Sequence, residues 1–124
     1  MNQPCTAMTS PCQHDEALPP ALQYPPRQLE LAAAMCHALS DPARLRLLLW
    51  LAEREMCVSE LVACEGGKLS SVSARLQTLH AAGLLARRRE AKHIFYALAD
   101  EHVHELLRNI LHHAAEFPWK GAAR

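Results

Sequence analysis

Aromatic side chains are scarce in this chain: Phe, Trp and Tyr together make up 5% of its 124 residues. Glycine is rare as well, with four. Leucine and alanine dominate instead, and that balance argues for helices over an extensive sheet. Neither sign of charge is in excess, since 13 basic side chains offset 13 acidic ones. Affinity for a polyanion therefore cannot be read from the total and depends on where the charges lie. No run approaches the roughly 18 uncharged apolar residues of a membrane-spanning helix, which excludes one. The first residues have neither the basic region nor the apolar run of a secretory signal. A cytoplasmic, reducing location is expected. There the five cysteines, Cys5, Cys12, Cys36, Cys57 and Cys64, read as thiols or metal ligands rather than disulfides. Cys36 and Cys64 fall in helical apolar patterns and are expected to be small core residues.

What is present is unevenly placed. Residues 1–26 hold six of the eight prolines and no Lys or Arg. Such a tail is not expected to be regular in isolation, yet it carries Cys5, Cys12 and His14. Residues 27–118 are expected to form one folded domain, and 119–124 a flexible end. Helical pattern begins near Arg27 and runs to about Leu39. Ser40-Asp41-Pro42 is a helix start, a capping side chain followed by proline in the first turn. The next helix, about 42–54, has Leu45, Leu48, Leu49 and Ala52 on one side, with Leu47, Trp50 and Leu51 widening its apolar surface, as in a central helix.

A short helix opens at Cys57 and ends near Glu65, where Gly66 and Gly67 break it. Another follows over about 69–82, with Val72, Leu76 and Leu79 inward and Gly83 closing it. Helix, short turn and helix make the layout of a helix-turn-helix. Leu84–Arg89 and His93–Leu98 then read as a two-stranded hairpin around a Glu90-Ala91 turn. The expected fold is thus mainly α with a β-hairpin wing, a winged helix-turn-helix. Between positions 68 and 92 lie Lys68, Arg75, Arg87, Arg88, Arg89 and Lys92, opposed by Glu90 alone. Positive charge on the second helix and the hairpin is a phosphate-binding footprint; a merely solvated strand is the plainer alternative.

The last helix begins after Asp100 and ends near Phe117. Eleven residues return a helix almost to the same azimuth, so His102 and His113 share a face. Glu116 projects the same way, and Asp100 at the start can both cap and turn toward His102. One ion cannot reach both imidazoles of one helix, because they stand about 16 Å apart along it. Two such helices packed antiparallel across a two-fold axis remove the difficulty: Asp100 and His102 of one subunit meet His113 and Glu116 of the other. Two imidazoles and two carboxylates suit zinc, with cobalt or nickel as alternatives. Beside them Val103, Leu107, Ile110 and Ala114 form an apolar stripe. Eight histidines could equally be a matter of composition. A second set would form if the tail folded onto Cys57, gathering Cys12, His14 and either Cys5 or Glu60. Such a thiolate-rich set favours zinc, cadmium or lead. In the alternative, Cys57 is a buried turn residue.

The stretches Leu39–Leu49, Met56–Leu61, Val72–Leu76, Gly83–Leu85, Lys92–Tyr96 and Asp100–Glu116 together resemble the ArsR/SmtB family of metal-responsive repressors, over roughly residues 28–117. The resemblance implies a homodimer joined through terminal helices. Such a dimer binds pseudo-palindromic operator DNA and dissociates on binding Zn(II), with Cd, Pb or Co as alternatives. It implies that Asp100, His102, His113 and Glu116 are zinc ligands, and that Cys57 pairs with tail ligands such as Cys12 and His14, with Glu60 where a carboxylate often stands. It also implies that His113 hydrogen-bonds toward Gly83 at the end of the reading helix. Ser70, Ser71, Ser73 and Arg75 become candidates for base or phosphate contact, and Arg87, Arg88, Arg89 and Lys92 for the DNA backbone. The chain departs from the family pattern at Ser59, where the cysteine-rich branch often has a second Cys. It departs again at Arg75, where His is usual, and at Lys68, where a capping Ser is common. A cysteine-based cadmium, lead or arsenite sensor and a thiol redox or persulfide sensor are rival readings within the same fold. No nucleophile–base pair or cofactor loop is evident, so no enzyme activity is expected.

Overall fold

The structure, a computed structural model, describes residues 19–118. The chain divides into two compact units, Met1–Glu30 and Leu31–Arg124. In the first, a single 3-10 turn at Pro20–Leu22 precedes the opening of helix α1 (Pro26–Ala38). Proline suits that opening because its missing N–H would have had no partner there, and the Pro25 carbonyl accepts from Gln28 and Leu29.

The second unit carries the rest: α2 (Pro42–Glu53), β1 (Met56–Cys57), α3 (Val58–Glu65), α4 (Leu69–Ala81), β2 (Leu85–Glu90), β3 (His93–Leu98) and α5 (Glu101–Glu116). The corner between α1 and α2 is fixed by side chains. Ser40 Oγ donates to the His37 carbonyl, and the Asp41 carboxylate accepts the Arg44 N–H at 3.1 Å. Arg44 in turn donates through Nε to the Ala38 carbonyl at 2.7 Å. One arginine thus satisfies a carbonyl that the end of α1 leaves free.

The core is almost entirely aliphatic, with Leu47, Leu48, Leu61, Leu76, Leu79 and Leu84 fully enclosed and Tyr96 the one buried aromatic among the described residues. Helix α2 packs on α3, α4 and β3, the central position its apolar run predicts. Its buried side is Leu47, Leu48 and Leu51, however, and Leu49 is exposed. An apolar run around the whole helix does not say which side is covered, so the inward stripe is rotated from the expected one. Cys36 and Cys64 are exposed rather than core.

The sheet has three strands in the order β1-β3-β2, all antiparallel. The expected two-stranded hairpin is present as β2 and β3, and a third strand joins it at the other edge of β3, where Met56 and Cys57 pair with Tyr96 and Phe95. Two residues give no period to read, so nothing local in the sequence marks this strand. Glu90 pairs with His93, so the turn is Ala91-Lys92, one position later than expected. Ala91 takes it with φ of 56°. In α5, Val103 and Leu107 are buried while Ile110 and Ala114 are exposed. The apolar stripe is thus covered only over its first half.

Candidate nucleic-acid interface and metal centre

Gly66 and Gly67, with φ of 80° and 91°, make the turn between α3 and α4, a path that L side chains resist. At the far end of α4, the Gly83 N–H donates to the His80 carbonyl and the Leu84 N–H to the Leu79 carbonyl. Gly83 has φ of 82°. This is a Schellman closure with its apolar contact, Leu84 against Leu79, inside the core. It fixes the angle at which the wing leaves the helix. Of the expected DNA contacts on α4, Ser70 is exposed, while Ser71, Ser73 and Arg75 are half-buried on its flanks.

In β2 the three arginines are not equivalent. Alternation along the strand sends Arg87 and Arg89 to one face and Arg88 to the other. Arg88 donates to both oxygens of Glu55, each at 2.8 Å, and to Glu90 at 2.8 Å. Its guanidinium also lies 4.5 Å over the Phe95 ring. These bonds hold the Glu55 carboxyl below its usual range and raise the Arg88 guanidinium. Arg88 is thus committed to carboxylates, whereas Arg87, Arg89 and Lys92 form no ion pair among the described residues. With Ile94 the three arginines line a surface cleft of about 470 Å³. Sequence reasoning missed Glu55 and Phe95; the Phe95 partner of Arg88 follows only once the strand register is known.

Cys57 is only 7% exposed. It ends β1 and stands at the N-cap of α3, where its N–H donates to Glu60 Oε1 at 2.9 Å. That bond, foremost, lowers the Glu60 carboxyl, with Arg54 nearby adding to the effect. The Cys57 Sγ lies 3.2 Å from Ser59 Oγ. Cys5, Cys12 and His14, the other members of the expected cysteine set, lie outside the described residues.

Asp100 caps α5, accepting the Val103 N–H through Oδ1 at 3.2 Å. Its Oδ1 is also 3.6 Å from His102 Nδ1, and the His102 side chain is 95% exposed. His113 and Glu116 are exposed at the other end. The His113 ring lies 6.2 Å from Phe117 and makes no hydrogen bond to Gly83 among the described residues. Within one chain the structure brings Asp100 to His102 and leaves the other two apart. Among the described residues no three His, Cys, Asp or Glu side chains converge as a metal site. The donors nonetheless suit a borderline metal, being imidazole and carboxylate groups open to solvent.

Residues 41–87 match the model of the arsR family of bacterial regulatory proteins. A transcriptional repressor SmtB homolog of Synechocystis is 39% identical over 89 residues, covering 72% of this chain and 67% of that one. The chain belongs to the arsR family. The SmtB transcriptional repressor of Mycobacterium tuberculosis is 36% identical over 93 residues, 74% of this chain and 69% of its own. Among solved structures, a homodimeric winged helix-turn-helix DNA-binding domain from Mycobacterium bovis superposes with a TM-score of 0.71 at 31% identity. That match covers 79% of this chain and 91% of that one. As an arsR-family member the chain is a winged-helix regulator, not an enzyme. No helix among the described residues is long and apolar enough to cross a membrane.

Proposed function

We propose that this arsR-family chain is a homodimeric transcriptional repressor that binds a pseudo-palindromic operator and lets go of it when Zn(II) occupies the terminal helices. The observation that carries the reading is α5 itself. It holds Asp100 and His102 at one end and His113 and Glu116 at the other, all exposed. Its uncovered apolar side chains Leu106 and Ile110, 39% and 38% exposed, are what a second copy would cover. Asp100 and His102 of one subunit with His113 and Glu116 of the other would hold the metal. It supplies a fixed crosslink between two helices that otherwise only pack. Alpha-helix α4 of each subunit enters a major groove, and Arg87, Arg89 and Lys92 lie along phosphates beside it. Holding the two α5 helices in one relative position sets the distance between the two reading helices, and DNA affinity responds through that spacing.

Operator binding followed by fluorescence anisotropy tests this, with zinc and cadmium titrated separately under anaerobic, reducing conditions. His102→Gln and His113→Gln should each bind DNA as the wild type does and lose release by zinc. If either variant still lets go at wild-type zinc levels, α5 is not the switch. Cadmium release that survives in both variants would instead favour a sensor built on Cys57 and the tail cysteines. The buried Cys57 thiol at the start of α3 is the observation behind that second reading.

A further inference from the structure

The outward face of α4 is defined by burial. Val72, Leu76 and Leu79 are buried, and Ser71, Ser73 and Arg75 half-buried beside them. Ser70, Ala74, Gln77, Thr78 and Ala81 are exposed. At 100° per residue, these five fall within one stripe about 100° wide, opposite the core. Their spacing of i, i+4, i+7 is that of side chains meeting successive base edges from a helix laid in a major groove. Cations flank the stripe at Lys68 on one end and Arg87, Arg89 and Lys92 on the wing, as a polyanion requires.

The members of the stripe differ in what they can read. The Thr78 hydroxyl already gives its one hydrogen to the Ala74 carbonyl at 3.2 Å, which leaves it an acceptor only. Ser70 has a short, single hydroxyl. Gln77 alone carries both a donor and an acceptor at the end of a side chain long enough to reach, and its amide bonds to no described residue. A glutamine so placed is matched by adenine, whose N6 donates and N7 accepts. The Ala74 methyl, one turn back, suits the apolar C5-methyl of a thymine. Arg75 is turned the other way: half-buried, it is close enough to Glu65 to help lower that carboxyl.

We infer that Gln77, seconded by Ala74, reads an A·T pair in each half-site and sets the base preference of the regulator, while Arg75 does not. The inference rests on the repressor reading above. It is tested on the full-length protein by selecting binding sites from random duplexes with the wild type, Gln77→Ala and Arg75→Ala. Affinities for the selected duplex, for a single-base variant and for a 7-deazaadenine version lacking N7 are then measured. The wild type should select an adenine in each half-site. Gln77→Ala should lose its discrimination there by about tenfold or more, with non-specific affinity unchanged. The 7-deaza duplex should weaken the wild type and leave Gln77→Ala indifferent. Arg75→Ala should select the wild-type sequence. Selection by Gln77→Ala of the same base with the same discrimination would overturn the inference and leave the repressor reading standing, as would a 7-deaza penalty equal in both proteins. A wild type that selects no sequence at all would overturn both.

Discussion

Ala91 is the only described non-glycine residue with positive φ, at 56°, and it is the first residue of the two-residue wing turn between Glu90 and His93. That position in a hairpin of this class is glycine's, since only there does the Cβ clash disappear. Ala91 is exposed, so its methyl contributes no packing to set against the strain. Holding an L residue in this region costs about 1–2 kcal/mol. Replacing it by glycine returns that energy but adds about 0.4–1 kcal/mol of backbone freedom to the unfolded chain. The difference makes Ala91→Gly more stable by roughly 0.5–1 kcal/mol, or about 3–6 °C in the melting midpoint of a domain of this size. Thermal or urea unfolding followed by circular dichroism measures it, at one fixed protein concentration because association shifts the midpoint. Gly83→Ala is the reciprocal control. Its new Cβ would meet Met35 Cε at 3.5 Å, an ordinary contact, so the same backbone strain acts there with the opposite sign. A loss of stability in Ala91→Gly, or a gain in Gly83→Ala, would refute the reasoning from backbone conformation.

The acid side of stability should be governed by Glu55, Glu60 and Glu65, held low by Arg88, by the Cys57 N–H and by Arg46 respectively. For such depressed carboxylates the stabilisation is complete above the ordinary carboxylate range and disappears as pH falls through the lowered folded values. Urea midpoints should therefore be flat near neutrality and fall in acid. Glu60→Gln, which keeps an acceptor for the Cys57 N–H, should shrink that fall; an undiminished fall would remove Glu60 from the account. On DNA, Arg87→Ala and Arg89→Ala should each reduce the slope of log affinity against log salt by about one. Arg88→Ala should change the slope less, because Glu55 and Glu90 already balance its charge. Equal slopes for all three variants would show that Arg88 leaves its carboxylates for phosphate.

Long elements with a strong period were legible from the residues alone. The three inward side chains of α4, the cap of α5 at Asp100 and the start of α2 at Asp41-Pro42 all stand as the sequence spacing predicts. What was illegible is what depends on a neighbour distant in sequence. Strand β1 exists only because β3 offers Tyr96 and Phe95 as partners. Leu49 is outside and Leu47 inside because of where α3, α4 and β3 lie. Cys36 and Cys64 are apolar enough for a core that turned out not to include them. The commitment of Arg88 likewise needs a carboxylate 33 positions away. The wing's basic composition was readable; which of its arginines remains free was not.

The two candidate donor sets differ in what the fold already asks of them. On α5, His102, His113 and Glu116 are all exposed, with His102 meeting only the Asp100 carboxylate and His113 only the Phe117 ring among the described residues, and Asp100 caps through Oδ1. Recruiting them costs the monomer little, so binding energy there is free to fix two copies against each other. At the other set, Glu60 already holds the N–H of Cys57 and lies 3.4 Å from Arg54. Drawing its carboxylate onto a metal would release that cap, a loss of about 0.5–2 kcal/mol at a helix start. A centre at Cys57 would therefore be better served by donors from outside α3, with Glu60 kept as a capping residue. The first helix of the helix-turn-helix begins at that cap. A change at Cys57 would thus act on the reading unit through α3, whereas in the proposed dimer a change at α5 would act on the spacing of two such units.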